Sequence, residues 1–216
     1  MSDYSDFQEL SPTSFADFLT RDRVMDIGIR PLWSGIPRVA GPAFTVRCEP
    51  GDHLMLHAAI YRAPPGSVIV VESGDLHYAL AGGNVCAIAQ KRGIAAFVLD
   101  GVIRDIAETR YNKFPVFARG ISPIPGSKNA LDELNRPIVC GGVEVAPGDM
   151  VIADEEGIVV IPLDQAEAIL NKALAKAEKE ASESLESWEQ AHRARVEEIL
   201  RKKGFAEPRP LPGAHA

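Results

Sequence analysis

Arg104, Asp105 and Glu108 are the residues of this chain whose types and spacing best suit chemistry. Arg104 and Asp105 are adjacent, and Glu108 follows within one helical turn. On a helix that starts here, all three share one face. Arginine offers a planar fork to a carboxylate or a developing enolate. Aspartate offers hard oxygen to a divalent cation such as Mg²⁺ or Mn²⁺. Glu108 either ligates or holds Arg104 in place. The same trio also fits a solvated charge network at a helix start, where acidic residues are favoured.

The elements before the trio must position it. Residues 94–99 form a short apolar run between Gly93 and Asp100-Gly101, read as a buried strand ending in a turn. Arg104 and Asp105 then fall past the strand's carboxyl end, where open α/β sheets bind ligands. A second junction precedes it. Residues 67–72 read as a buried strand, residues 72–78 as a loop, and Ala81-Gly-Gly-Asn84 opens a helix through Val85, Ile88 and Ala89. No GxGxxG follows the strand and no P-loop lysine follows the glycines, so a nucleotide fingerprint is excluded. Unblocked amides at that helix start still make a carboxylate seat. The two junctions, near Gly83 and near Arg104, are read as lining one pocket. No lysine falls in that stretch; Lys91 sits at the far end of its helix.

Residues 52–61 read as a helix. His53 and His57 share its face, as in zinc sites, but Leu54 stands where an HExxH motif needs glutamate. The pair is read as solvated or capping histidines.

The chain has 216 residues, 46% hydrophobic and 25% charged, which suits a globular α/β protein. A net charge of −7 argues against binding nucleic acid by phosphate neutralisation. Apolar runs are far shorter than a membrane span. The first ten residues are acidic and polar, so no secretory signal is expected and the setting reads as cytoplasmic. Cys48, Cys86 and Cys140 are scattered and read as buried reduced thiols.

Elsewhere, residues 1–12 read as a loose lead-in, with Ser11 or Thr13 capping a short helix. Residues 41–48 and 115–121 read as strands, 122–136 as a loop, and 137–162 as a β-meander turning at Gly141-Gly142, Pro147-Gly-Asp149 and Glu156-Gly157. Residues 163–203 carry a helical pattern. A continuous helix of that length would span roughly 60 Å. It must break near Ser182-Glu-Ser184 or project, and its apolar stripe asks for a second subunit. The expected organisation is one α/β catalytic domain over residues 1–163. A helical extension over 164–204 packs on a neighbour, and a disordered tail covers 205–216.

Four motifs, Gly41-Pro-Ala-Phe-Thr-Val46, Ala81-Gly-Gly-Asn84, Asp100-Gly-Val-Ile-Arg-Asp105 and Pro147-Gly-Asp-Met-Val-Ile-Ala-Asp154, resemble the family of 4-hydroxy-4-methyl-2-oxoglutarate aldolases. The same family holds the regulator of ribonuclease E activity A. The sharpest part is Gly83, twenty residues, Arg104-Asp105, two residues, Glu108. The resemblance implies a compact layered α/β sandwich of the RraA-like, swivelling β/β/α type with a long C-terminal helix. It implies a homotrimer or homohexamer with the site between subunits. It implies Mg²⁺ or Mn²⁺ at Asp105, held largely through water, and Arg104 on the keto or enolate oxygen. Amides at Gly83, Asn84 and Val85, led in by Gly82, would hold the substrate carboxylate. Glu180 of a neighbour would reach the metal shell, with Glu178 and Glu183 as rivals. The ribonuclease regulator lacks the metal-binding aspartate, so Asp105 favours an enzyme.

The resulting expectation is a divalent-metal-dependent lyase on 2-oxo acids. It would cleave 4-hydroxy-4-methyl-2-oxoglutarate-like substrates to pyruvate or decarboxylate oxaloacetate, both through pyruvate enolate. The proton-transfer group is open, with water relayed by Asp75 or Glu108 as one route. The rival is a non-catalytic module that binds and inhibits a ribonuclease or an RNA helicase.

Overall fold

Runs of valine and isoleucine set the framework of the computed structural model, which describes residues 4–206. In chain order the strands are β1 (Arg30–Pro31), β2 (Val39–Arg47), β3 (Val68–Glu72), β4 (Ala79–Ala81), β5 (Ala96–Ile103), β6 (Val116–Ile121), β7 (Ile138–Cys140), β8 (Val143–Val145), β9 (Met150–Asp154) and β10 (Gly157–Ile161). The α-helices are α1 (Ser5–Glu9), α2 (Pro12–Ala16), α3 (Leu54–Ile60), α4 (Gly83–Lys91), α5 (Ile106–Tyr111), α6 (Ala166–Ser182) and α7 (Leu185–Lys202).

The main sheet runs β1-β6-β5-β3-β2-β9-β10, with β4 added along the far half of β5. Strands β2, β3, β5 and β6 are parallel, and β9 joins β2 antiparallel. Parallel strands covered on both faces need continuous apolar runs, and Val68 to Val71 and Ala96 to Leu99 are fully buried. Each of the valine, isoleucine, phenylalanine and leucine side chains among them contributes about 1.5–3 kcal/mol relative to exposure. Alternate residues face two cores. Ile69, Val71, Phe97 and Leu99 pack with Leu56 and Ala59 of α3 and Cys86 and Ala89 of α4. Val68, Val70, Ala96 and Val98 pack with Ile138, Val143 and Val145 of the separate β7–β8 hairpin. The layers are therefore helix, sheet, hairpin, as expected. The sheet is nearly closed on itself: Val24, ahead of β1 at one edge, bridges Val159 of β10 at the other. All three cysteines are buried and free.

The expected turn at Asp100-Gly101 does not form. Strand β5 continues through it to Ile103, with a register shift against β6 between Leu99 and Val102. The Asp100 carboxylate accepts from Arg119 at 2.7 Å and from the Gly141 amide at 2.8 Å. A β-carbon on Gly101 would lie 2.7 Å from Leu80 Cδ1 and from Ser73 Oγ. The pair marks an irregularity with a close approach, not a reversal. The short strand β4, at residues 79–81, falls between the segment read as loop and the glycine-led helix start, where no strand was expected.

The lead-in is ordered where it is described. Phe7 of α1 stacks on Phe15 of α2, with centroids 5.9 Å apart. Ser11, not Thr13, caps α2. Near the C-terminus the helical run breaks as anticipated: α6 ends at Ser182, and Ser184 Oγ accepts from the Ser187 amide to cap α7. The chain divides into a unit through Ala175 and a second unit from Lys176. Ala166, Ile169 and Ala173 of α6 are buried in a third core with Phe15, Ile152 and Ile161. In the second unit α7 buries no residue, and Leu185, Trp188, Val196 and Ile199 are exposed. The expected disordered tail lies outside the described residues beyond position 206. No described helix is long and apolar enough to cross a membrane.

Candidate active site

Two strand ends lie side by side because β4 pairs with β5, Ala81 opposite Ile103. The Arg104 amide donates to the Ala81 carbonyl at 2.9 Å. From β4 the chain passes Gly82 into α4. From β5 it passes Arg104 and Asp105 into α5. A β-carbon on Gly82 would collide with Asp105 Oδ2 and sit 3.1 Å from Arg104 Cγ. One on Gly83 would overlap the Glu108 carboxylate and lie 2.9 Å from Glu108 Cβ. Both glycines are required by close approach. Alanine normally favours a helix over glycine by about 1 kcal/mol. Gly83→Ala is nevertheless expected to destabilise by about 1–3 kcal/mol through overpacking. Urea unfolding checks this; a gain in stability would show that Glu108 can swing clear.

Asp105 sits in the left-handed region at φ 57° and ψ 41°. Few residues other than glycine tolerate this, and aspartate is one. Thr109, fully buried, donates its amide and its hydroxyl to the Asp105 carbonyl, each at 3.2 Å. Asp105 Oδ2 accepts from the Gly83 amide at 3.2 Å and lies 3.5 Å from Arg104 Nε. Asp105 Oδ1 has no partner among the described residues. The Gly83 amide is thus engaged by Asp105 in this structure. The amides of Asn84 and Val85 have no acceptor among the described residues and remain free at the positive end of α4.

These groups open on a cavity of about 480 Å³, bordered by Gly82, Asn84, Val85, Arg104 and Asp105. His53, His57 and Lys128 border the same cavity. The histidines are not the solvated or capping pair expected. His53 is 7% exposed, and the two rings stack with centroids 4.3 Å apart. His53 Nδ1 lies 3.3 Å from the Ala79 carbonyl and His57 Nε2 lies 3.3 Å from the Leu80 carbonyl. Burial, then His53 and Lys128, bring the His57 pKa down to about 4. Burial first, aided by Lys128 and Arg104, lowers that of His53.

At the start of this helix His53 makes no side-chain cap bond, and the group that bonds there is Asp52. Its carboxylate accepts the Leu54 amide at 2.8 Å, the Ser127 hydroxyl at 2.6 Å, and the Asn129 and Ala130 amides at 2.6 and 3.3 Å. These bonds clamp the loop on both sides of Lys128. A lysine therefore does border the cavity, contrary to the sequence reading. Asp75, one candidate relay, instead accepts the His77 and Tyr78 amides of its own turn. Glu108, the other, packs on Gly83 and does not border the cavity. Glu180 pairs with Lys176 on its own helix at 3.1 Å.

No group of three His, Cys, Asp or Glu among the described residues could cage a metal ion. The donor present is one hard carboxylate, Asp105, with one oxygen free at a cavity mouth. That fits Mg²⁺ or Mn²⁺, which bind through one or two carboxylates plus substrate oxygens and keep water.

A family model described as RraA-like, Aldolase/RraA, matches residues 2–160. A Halalkalibacterium halodurans protein, provisionally named 4-hydroxy-4-methyl-2-oxoglutarate aldolase, is 41% identical over 179 residues, 82% of this chain and 85% of that protein. Among solved structures, an unusual member of the RNase ES inhibitor RraA family from Streptomyces coelicolor superposes with a TM-score of 0.71. It is 28% identical and covers 88% of this chain and 96% of that one. The RNA-processing inhibitor RraA from Thermus thermophilus gives 0.65 at 28% identity, over 71% of this chain and 93% of that one.

Proposed function

Since the chain belongs to the RraA-like family, Aldolase/RraA, we propose that it is a metal-dependent lyase cleaving 4-hydroxy-2-oxo acids to pyruvate. Oxaloacetate decarboxylation would share the site. One observation carries this: Arg104, the Asp105 carboxylate and the free Asn84 and Val85 amides converge on one cavity. The aldolase name of the 41%-identical relative supports it.

The Asn84 and Val85 amides seat the substrate's C1 carboxylate at the α4 N-terminus. Arg104 Nε and its fork face the C2 oxygen. Loss of the 4-hydroxyl proton forms the new carbonyl at C4. The C3–C4 electron pair moves into the pyruvate enolate, whose oxygen Arg104 stabilises as charge develops. Asp105 Oδ1, with Glu180 of a neighbouring copy, would hold a Mg²⁺ or Mn²⁺ ion that supplies Lewis-acid polarisation of the carbonyl. Buried free thiols suit a reducing, cytoplasmic setting.

Lys128 makes a Schiff-base route the competing chemistry. The test is pyruvate release from both substrates with Mg²⁺, Mn²⁺ or EDTA, and borohydride trapping in pyruvate. The expected result is activity abolished by EDTA with Lys128 unmodified. EDTA-resistant activity with a trapped Lys128 adduct would establish the Schiff base instead. Rates no better than free metal would sink the lyase and favour the inhibitor reading, which the RraA inhibitor neighbours support.

A further inference from the structure

We infer that His53 is the proton-transfer group of this cavity: its Nε2 takes the 4-hydroxyl proton and returns it to C3 of the pyruvate enolate. The inference rests on the lyase reading above. It starts from a tautomer. A carbonyl oxygen only accepts, so the 3.3 Å approach of His53 Nδ1 to Ala79 O puts the hydrogen on Nδ1. The neutral ring then carries its lone pair on Nε2. No described residue bonds Nε2, and no buried side-chain nitrogen or oxygen lacks a partner. Nε2 is therefore open, and the space it opens on is the cavity that His53 borders.

The ring is held for this task. His57 stacks on it with planes 8° apart, and His57 is itself tied to Leu80 O. Behind His53, its own amide donates to the Ser127 carbonyl at 3.0 Å. The charged and titratable groups that act on the ring are His57 from α3, Asp52 just before it, Lys128 from the loop, and Arg104 from the end of β5. Burial first, then the Lys128 and Arg104 cations against the opposing Asp52 carboxylate, keep the ring neutral and able to accept a proton at neutral pH. Asp75 is engaged in its own turn and Glu108 does not border the cavity, and Asp105, the carboxylate that does, is the group assigned above to the metal.

The step balances. The O–H bond breaks to Nε2, C4=O forms, and the C3–C4 pair becomes the enolate. The Nε2–H bond then breaks, and C3 gains the proton that makes the pyruvate methyl. With oxaloacetate, loss of CO₂ leaves the same enolate, Nε2 first takes a proton from water, and that Nε2–H then protonates C3. With pyruvate alone the second half reverses, so methyl protons exchange with solvent.

The test is that exchange, followed by NMR in D₂O for the Mg²⁺-loaded protein, across pH. The wild type should lose rate as pH falls through a limb below the ordinary histidine range. His53→Asn and His53→Gln keep an N–H for Ala79 O but cannot carry the proton. Either is expected to slow exchange and substrate cleavage about 100-fold. Pyruvate affinity should stay within about twofold, and the acid limb should vanish. A folded variant of either kind that exchanges at the wild-type rate with its limb intact overturns the assignment and leaves the lyase standing. A wild type that neither exchanges nor cleaves overturns both.

Discussion

Arg104→Ala is expected to lower kcat for pyruvate formation about 100- to 1000-fold, a loss of about 3–4 kcal/mol of transition-state stabilisation. The side chain is 42% exposed, and its one ion pair among the described residues is the 3.5 Å contact with Asp105. Such a pair is worth about 0–1 kcal/mol, so unfolding should hardly change. A large catalytic loss with a small stability loss is the signature of a group that meets charge only as it develops. Arg104→Lys keeps the cation but loses the planar fork, and should recover part of the rate. Steady-state kinetics beside thermal unfolding check this. A rate within threefold of wild type would remove Arg104 from the chemistry. Asp105→Asn is the companion, because asparagine also tolerates the left-handed backbone that Thr109 pins there.

Asp52→Ala should produce the largest stability loss, about 3–5 kcal/mol. The carboxylate serves four donors from two segments, and its removal strands the Leu54, Asn129 and Ala130 amides. Burial would raise its pKa, but these amides and the Ser127 hydroxyl outweigh burial and bring it down to about 2. The sign follows. A folded value below the unfolded one means the carboxylate's contribution is full above about pH 4 and is lost as pH falls toward 2. Its size is about 2 kcal/mol. Urea midpoints between pH 5 and 2.5 should fall more steeply in the wild type than in Asp52→Asn. Parallel curves would show that the carboxylate titrates alike in both states. Because the same bonds fix Lys128, activity should fall with stability in Asp52→Ala.

The proximity of Arg104 and Asp105 to the glycines at 82–83 was legible because each belongs to one local segment. Residue type, spacing and a strand's end suffice to join them. The hairpin turns were legible for the same reason. The shared helical face with Glu108 was not met, since α5 starts at Ile106 and Glu108 packs on Gly83 away from the cavity. The histidine pair was not legible. Its burial depends on a loop that folds back through Asp52 and Ser127, 75 residues apart in sequence, and nothing in the pattern of α3 announces that cover. Lys128 was missed through the same loop. Strand β4 is three residues long, too short for a period to show. Asp100-Gly101 carries a turn's composition, yet Asp100 is spent on Arg119 and Gly141, contacts no local reading contains.

The exposed helix α7 also carries an optical probe. The chain has two tryptophans. Trp33 is partly buried against both sheet cores, whereas Trp188 is 50% exposed and stacked on His192 with centroids 4.6 Å apart. Their fluorescence therefore differs in colour, and a Trp33→Phe background isolates the helix. Anything that covers this face would exclude water from the indole and shift its emission to the blue, reporting occupancy of α7 without an added label.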